Sequence, residues 1–253
     1  MASNTARKTE SPRPPGRCVG CPIRKFAAYS GARRGSPKFL QSARMEDRIL
    51  SPKRNICREE KDAGELFTLY DGWAFTYKLL PDGRRQILDF LLPGSFIGLH
   101  LLWFKAMPHS VQTLTSVSLC VFDREKFHDL LRQNPEYEWG LLRYSASCQA
   151  YRNERLLDLG RRTAKERIAR LVLELHDHLA ERNLAHRGSF PFPLRHEHIA
   201  DAVGMAKIPV GRALQSLRHD GLMEVDRDTA RILDLKGLRK LTGYAGRPAL
   251  KRH

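Results

Sequence analysis

The chain has 253 residues, enough for about two domains, and no run of roughly 18 apolar residues that would suggest a membrane-spanning helix. The formal net charge of +16 is uneven: residues 1–62 carry +9, residues 63–160 carry −1 and residues 161–253 carry +8. A basic C-terminal third favours a nucleic-acid partner, because Lys and Arg neutralise phosphates. The polar, proline-rich start lacks the apolar stretch of a secretory signal, so we expect a cytoplasmic protein.

Short hydrophobic runs separated by turn residues follow an N-terminal flexible segment, residues 1–40. Within it we expect residues 1–17 to be disordered and residues 18–35 to form a short helix or an irregular cap. Pro81-Asp82-Gly83 predicts the tight turn of a hairpin between two of these runs. The last run, residues 111–122, alternates in a way that predicts a single strand with one buried face. Many short strands with this punctuation indicate a β-sandwich or a barrel-like roll. The predicted strands are residues 66–70, 73–80, 85–92 and 111–122.

The hydrophobic period changes to that of helices after Asp123. A long helix is predicted over residues 136–160, and its apolar stripe packs either on its own domain or on a second copy of the chain. We interpret it as a dimerisation helix with a hinge at Gly160. A second helix is predicted from Thr163 to Glu181, where Thr163 and Glu166 have the spacing of a capping box. The stripe of the long helix consists of Leu141, Tyr144, Cys148, Tyr151 and Leu159.

Residues 194–220 predict a helix-turn-helix. Gly204 supplies the left-handed turn residue between the two helices. Pro209 is compatible with the second helix if that helix begins near Ala206, because the first turn has no intrahelical N–H bond to lose. A strand–turn–strand follows at residues 223–235 and reads as a wing. The inner faces are Ile199, Ala200 and Val203 in the first helix, and Val210, Leu214 and Leu217 in the second.

The outward residues of this segment predict its DNA contacts. Lys207, Ile208 and Arg212 lie early in the second helix, where side chains of such motifs reach base edges. Arg bonds guanine bidentately, Lys serves guanine or phosphate, and Ile208 suits the methyl group of thymine. Arg195 and Arg218 are better placed for phosphates.

With these motifs in place, the sequence resembles the Crp/Fnr family of bacterial transcription regulators (cyclic-AMP receptor protein and fumarate–nitrate regulator type) over about residues 44–242. The resemblance implies an α+β fold with an N-terminal double-stranded β-helix, or cyclic-nucleotide-binding-like roll, a long dimerisation helix and a C-terminal winged helix-turn-helix. It also implies a homodimer on pseudo-palindromic DNA sites and contact with RNA polymerase. The motifs that carry it are Asp71-Gly72-Trp73, residues 80–87, residues 92–98 and Val210-Gly211-Arg212.

The sequence departs from the family in its nucleotide pocket. Leu99, Leu101 and His109-Ser110 stand where the family has a Glu, a Gly and an Arg-Ser pair. The carboxylate for a ribose hydroxyl and the guanidinium for a phosphate are both missing, so we predict that cyclic AMP is not the effector. In the second helix, Ala206 replaces a hydroxyl cap and Ile208-Pro209 replace polar residues, which puts the target sequence in question.

The cysteines leave three interpretations open. The chain has five, an odd number that does not suggest a disulfide framework. Cys18, Cys21 and Cys120 match three of the four cluster ligands of the oxygen-sensing branch, and Ala27 stands at the fourth. They are a degenerate remnant, the ligands of an iron–sulfur cluster or another metal, or redox-active thiols. Cys57 joins them only if the fold brings it close.

Other residues favour structural roles. His176, His178, His196 and His198 occur as i, i+2 pairs that face apart on a helix and do not chelate from one side. No catalytic pattern stands in a convincing context, so we expect no enzyme. A protein that binds an effector and acts through protein contacts without DNA remains the alternative of another class. Tyr70, Trp73, Phe75 and Tyr77 are expected in the core and at the rim of the strands.

The predicted domains are the N-terminal segment 1–40, the roll 41–135, the long helix 136–160, the winged helix 161–243 and a basic tail 244–253.

Overall fold

The computed structural model describes residues 12–13, 16–27, 37–62 and 64–246. Two four-stranded antiparallel sheets form the roll, in the orders β1-β8-β3-β6 and β2-β7-β4-β5. None of the described helices combines the length and apolar character that a membrane crossing requires. The strands of the roll are β1 Arg44–Leu50, β2 Asn55–Cys57, β3 Glu65–Asp71, β4 Ala74–Leu79, β5 Arg85–Leu91, β6 Phe96–Ile97, β7 Ser110–Thr113 and β8 Val117–Asp123.

The single strand expected over residues 111–122 is wrong. The chain leaves β7 after Thr113 and enters β8 at Val117, and these two strands belong to different sheets. The intervening Thr115 hydroxyl accepts a bond from the Trp73 N–H at 2.9 Å, which fixes the crossover. β8 lies between β1 and β3, and its residues are buried on both faces up to Phe122. Alternation therefore fails there, because a central strand covered on both sides has no solvent face.

The N-terminal segment is ordered where the structure describes it. A 3-10 turn spans Arg24–Phe26, and α1 spans Pro37–Ala43. The Phe26 ring lies under the Arg182 guanidinium at 5.3 Å, and Arg182 Nε donates to the Pro93 carbonyl at 2.7 Å. The 3-10 turn lies within residues 18–35, for which the sequence predicts a short helix or an irregular cap. Residues 1–11, 14–15 and 28–36, and the end of the basic tail from residue 247, lie outside the described residues.

Two helices follow the roll, α2 Arg124–Gln133 and α3 Pro135–Arg161. The apolar stripe of α3 faces its own chain. Leu141 lies in the core of the roll, and the Tyr144 hydroxyl accepts from the Phe96 N–H at 3.4 Å. Farther along, the Tyr151 ring contacts the His178 ring at 5.3 Å. The stripe is therefore used inside the chain, and any partner copy must meet another face of α3.

The C-terminal domain is a winged helix. Three strands form the wing in the order β10-β11-β9. The second wing strand, predicted over residues 231–235, begins at Thr229 and ends at Ile232, because Asp234 accepts from the Gly237 N–H and caps α7, which begins at Leu235. The elements are α4 Ala164–Glu181, β9 Ser189–Pro191, α5 His196–Val203, α6 Lys207–His219, β10 Met223–Asp226, β11 Thr229–Ile232 and α7 Leu235–Thr242.

The capping box predicted at the start of α4 is confirmed. Thr163 accepts from the Glu166 N–H, and the Glu166 carboxylate accepts from the Thr163 N–H at 2.7 Å. These bonds hold the pKa of Glu166 below its usual value. The inward residues predicted for this helix are all buried, namely Ile168, Leu171, Val172, Leu175 and Leu179.

Thr163→Ala removes the cap and leaves the Glu166 N–H without its partner. We expect the free energy of unfolding to fall by about 1 kcal/mol, measured by urea denaturation. Thr163→Ser keeps a hydroxyl and is the matched control. Equal stability of all three proteins would contradict a role for the box.

Candidate nucleic-acid interface

The two helices α5 and α6 meet at a tight turn. Gly204 ends α5 with φ 64°, a left-handed conformation that favours glycine. At the other end of α5, the Arg195 N–H donates to His198 Nδ1 at 3.1 Å, so His198 caps the helix. The inner residues Ile199, Ala200 and Val203 are buried as predicted.

The second helix begins as the sequence predicts. Ala206 precedes it without a side-chain cap, Lys207 is its first residue and Pro209 its third. The proline therefore costs no intrahelical bond. Because a residue before proline is biased away from helical torsions, this first turn depends on packing farther along. That packing comes from Val210, Ala213 and Leu217, which are buried, whereas Leu214 is partly exposed.

The five predicted DNA contacts share one property, exposure to solvent. Ile208 is 70% exposed, the highest fraction among the large hydrophobic side chains that the structure describes. Arg212 lies one turn farther along the same side of α6. Within the described residues its guanidinium has no carboxylate partner. The full set in these exposed positions is Arg195, Lys207, Ile208, Arg212 and Arg218.

Lys207 has a partner that the sequence analysis missed. Its Nζ lies 3.3 Å from Glu197 Oε2 on α5, and this bond lowers the pKa of Glu197. The charge of Lys207 is thus partly compensated before any DNA arrives, whereas that of Arg212 is not. The i to i+10 separation crosses the turn, so no helical periodicity signals the pair.

An ion pair joins the helix-turn-helix to the roll. Both Nε and Nη2 of Arg85, at the start of β5, lie 2.7 Å from Asp201 Oδ2 on α5. The same guanidinium stacks on the Phe75 ring at 5.1 Å, and His198 contacts that ring at 6.0 Å. Gln86 Nε2 also donates to the Ala202 carbonyl at 3.3 Å. The β4–β5 hairpin therefore binds α5, the first helix of the helix-turn-helix, through an ion pair and a hydrogen bond.

The roll and the winged helix also share one hydrophobic core. The roll's aromatic residues Trp73, Phe75 and Tyr77 are buried, as expected, but against the winged helix rather than inside the roll. Tyr70 is partly buried against the roll's own core. The members of the shared core that come from the roll are Trp73, Phe75, Tyr77, Ile87, Phe90 and Leu92, and those from the winged helix include Ile168, Leu171, Ile199 and Val203.

The nucleotide-pocket positions hold apolar and imidazole groups. Leu99 opens a 3-10 turn, Leu101 is buried, and the His109 ring meets the His100 ring edge-on at 5.3 Å. Burial lowers the pKa of His109 to about 4, helped by His100 and Arg152. At neutral pH this side chain is uncharged, so it does not replace the guanidinium that would bind a phosphate.

The three matched cysteines lie in one neighbourhood. Burial raises the pKa of Cys120 to about 12, and the nearby Cys21 and Cys18 thiols raise it further while Arg44 opposes them. Burial also raises the pKa of Cys18. Thiols that stay protonated at neutral pH are poor nucleophiles, which disfavours redox chemistry at these two.

These residues do not fit a four-thiolate cluster. Ala27, buried in the same core as Cys18 and Cys120, offers a methyl group at the fourth ligand position. Cys57 is buried in the same core, and burial together with Glu65 raises its pKa to about 12, so this thiol stays protonated at neutral pH. Among the described residues, no three His, Cys, Asp or Glu side chains are grouped closely enough to hold a metal ion.

Comparison with known proteins agrees with this architecture. A cyclic nucleotide-binding domain model matches residues 48–134, and a Crp-like helix-turn-helix domain model matches residues 166–241. The transcriptional regulator LdrP of Thermus thermophilus is 31% identical over 199 residues, covering 76% of this chain and 95% of LdrP. This chain belongs to the Crp/Fnr family.

Other members are similar over most of the chain. The transcriptional activatory protein AadR of Rhodopseudomonas palustris is 30% identical over 185 residues, covering 73% of this chain and 76% of AadR. The solved structure of FixK2 from Bradyrhizobium japonicum superposes with a TM-score of 0.72 at 26% identity, covering 79% of this chain and 98% of that one. The Crp/Fnr member described here is thus a transcription regulator with a roll and a DNA-binding helix-turn-helix.

Acidification should destabilise this Crp/Fnr regulator through His109. Its folded-state pKa of about 4 lies below the ordinary 6.5, so the unfolded chain takes up the proton first as pH falls. The stabilising contribution is present above pH 6.5 and is lost between pH 6.5 and 4. From pH 7 to pH 5 we expect a loss of about 1–2 kcal/mol from this residue, measured by urea denaturation.

His109→Gln should reduce that pH dependence, and His186→Gln, at an exposed position, is the matched control. An unchanged pH slope in the His109 variant would contradict the prediction.

Proposed function

We propose that this regulator is a homodimer that binds pseudo-palindromic DNA in the cytoplasm, with one α6 helix in each of two successive major grooves. The observation that carries the proposal is the exposed face of α6, where Arg212 has no carboxylate partner within the described part of the chain, while Val210, Ala213 and Leu217 on the other side are buried in the core. A guanidinium held on a rigid helix without a partner is suited to guanine, which offers two acceptors in the major groove.

In this proposal, Lys207, Ile208 and Arg212 contact bases, and Arg195 and Arg218 bind phosphates. Arg195 precedes α5 and Arg218 lies near the end of α6, so the two cations flank the reading face. Contacts of this kind fix the register of a protein on the duplex. The relatives' names as transcriptional activators favour a further contact with RNA polymerase.

The dimer is supported by a row of exposed residues along α3, here called the seam. Seven exposed residues follow each other at alternating spacings of three and four, as in a coiled coil. Trp139 is 64% exposed, Leu142 50% and Leu156 68% in the single chain. Asn153 supplies one polar position that fixes register. The seam consists of Trp139, Leu142, Ala146, Gln149, Asn153, Leu156 and Gly160.

The effector in this proposal is not cyclic AMP, because the pocket positions carry Leu99 and a neutral His109. A signal on the roll reaches DNA through the Arg85–Asp201 pair and the shared core, and through α3 near Gly160. Among the described residues of a single chain, nothing beyond the backbone of α3 lies within 4 Å of the position that a Gly160 Cβ would take, so a second copy can approach α3 closely there.

Arg212→Ala should weaken binding to a selected palindrome about ten- to hundredfold, which is about 1–3 kcal/mol, and should relax preference at one base pair. Fluorescence anisotropy on selected and scrambled duplexes measures both effects. Arg218→Ala, as the matched phosphate-contact variant, should weaken all duplexes alike and reduce the salt slope by about 1. If the wild-type protein showed no salt-dependent retention on DNA, the protein-contact alternative would replace this function.

Leu156→Glu should place a charge in the seam of both copies and raise the dimer dissociation constant at least about a hundredfold. Light scattering coupled to size exclusion should then report monomers at micromolar concentration. Leu79→Glu changes an exposed leucine of β4 and should leave the dimer intact. A Leu156→Glu protein that stayed dimeric would place the interface on another surface.

A further inference from the structure

Resting on the proposed DNA-binding function, the geometry points to Ile208 as a reader of the thymine methyl group: we infer that each half-site has a thymine within about two base steps of the guanine bound by Arg212. Thymine is the base that presents an apolar group at the floor of the major groove. An apolar side chain on the reading face therefore has one base-specific partner of matching chemistry.

Ile208 is placed for that role. It is 70% exposed in the second position of α6, although the helix buries other apolar residues on its opposite side. Its β-branched side chain has few rotamers, so its surface is fixed before DNA arrives. Single exposed apolar residues are common on proteins, and it is the location beside Arg212 that gives this one a partner.

The neighbouring groups do not offer a polar substitute. Ala206 has no side-chain acceptor, Pro209 has no N–H, and Gly211 has no side chain. The polar side chain of this first turn, Lys207, has its Nζ 3.3 Å from Glu197 Oε2. Base recognition by the first turn of α6 therefore depends on apolar contact more than on hydrogen bonds.

The spacing between Ile208 and Arg212 determines how far apart the thymine and the guanine can lie. Ile208 and Arg212 are four residues apart on one face, a rise of about 6 Å along the helix. Base pairs stack about 3.4 Å apart, so the two side chains reach positions within about two base steps. The thymine and the guanine therefore belong to the same half-site.

The experiment exchanges the methyl group alone. After selection of the preferred palindrome, each thymine of the half-site is replaced in turn by deoxyuridine, which pairs identically and lacks only the C5 methyl. The full-length wild-type protein should lose about fourfold in affinity at one position per half-site, since one buried methyl group is lost. Ile208→Ala should bind the thymine and deoxyuridine duplexes equally.

Two variants sharpen the result. Ile49→Ala removes another exposed isoleucine side chain, 58% exposed on β1 of the roll, and should keep the wild-type discrimination. Ile208→Glu should move the preference at that position toward a base with an amino group, because a carboxylate accepts from cytosine N4.

The outcomes separate this inference from the proposed function. Wild-type protein that binds its palindrome but tolerates deoxyuridine everywhere overturns the role of Ile208 and leaves the DNA-binding function standing. Discrimination that persists in Ile208→Ala also overturns it. Failure of the wild-type protein to select any DNA overturns both.

Discussion

The shared hydrophobic core between the roll and the winged helix is the constraint on which the rest of the structure depends. Phe75 and Ile87 lie on strands of the roll, yet they are buried with residues of α4 and α5. Apolar burial is non-directional, so the ion pair of Arg85 with Asp201 supplies the orientation that the core alone does not. The first helix of the helix-turn-helix, α5, is therefore held against the roll by side-chain contacts.

The same constraint divides the surface of α3 between two tasks. Leu141 and Tyr144 pack on the roll, and Tyr151 meets α4, so this face stabilises the chain itself. Another face carries the exposed Leu142 and Leu156, which the proposed dimer would cover with a second copy. One helix thereby contacts the sensor-like domain, the DNA-binding domain and, in the proposed assembly, its partner.

The sequence was informative where short-range patterns determine structure. The 3.6 period, the Thr163–Glu166 spacing and the left-handed Gly204 predicted α4 and the turn between α5 and α6 correctly, because each depends on neighbours within a few residues. Alternation misled at β7 and β8, where strands change sheets and both faces are buried. The stripe of α3 was seen, but periodicity does not say which surface covers it.

The candidate site was predictable only in part, because some of its contacts join residues far apart in the sequence. The exposed positions of α6 follow from its period, whereas the pairing of Lys207 with Glu197 depends on the angle between two helices. The Arg85–Asp201 contact joins residues 116 positions apart, and no local signal announces it. The burial of Trp73 and Phe75 between the two domains is likewise not predictable from local sequence, because it depends on how the domains pack.

The surroundings of Gly204 indicate how binding at the roll and binding at the helix-turn-helix could be coupled in free energy. A Cβ at Gly204 would lie 3.2 Å from Leu159 of α3 and 3.8 Å from Gln86 of the β4–β5 hairpin, so the turn of the helix-turn-helix touches both. In the proposed function, a displacement of one of these three elements would therefore press on the other two. Coupling of this kind is reciprocal: the factor by which an effector changes affinity for DNA equals the factor by which DNA changes affinity for the effector. Occupied operator DNA would thus act as an allosteric ligand of the roll.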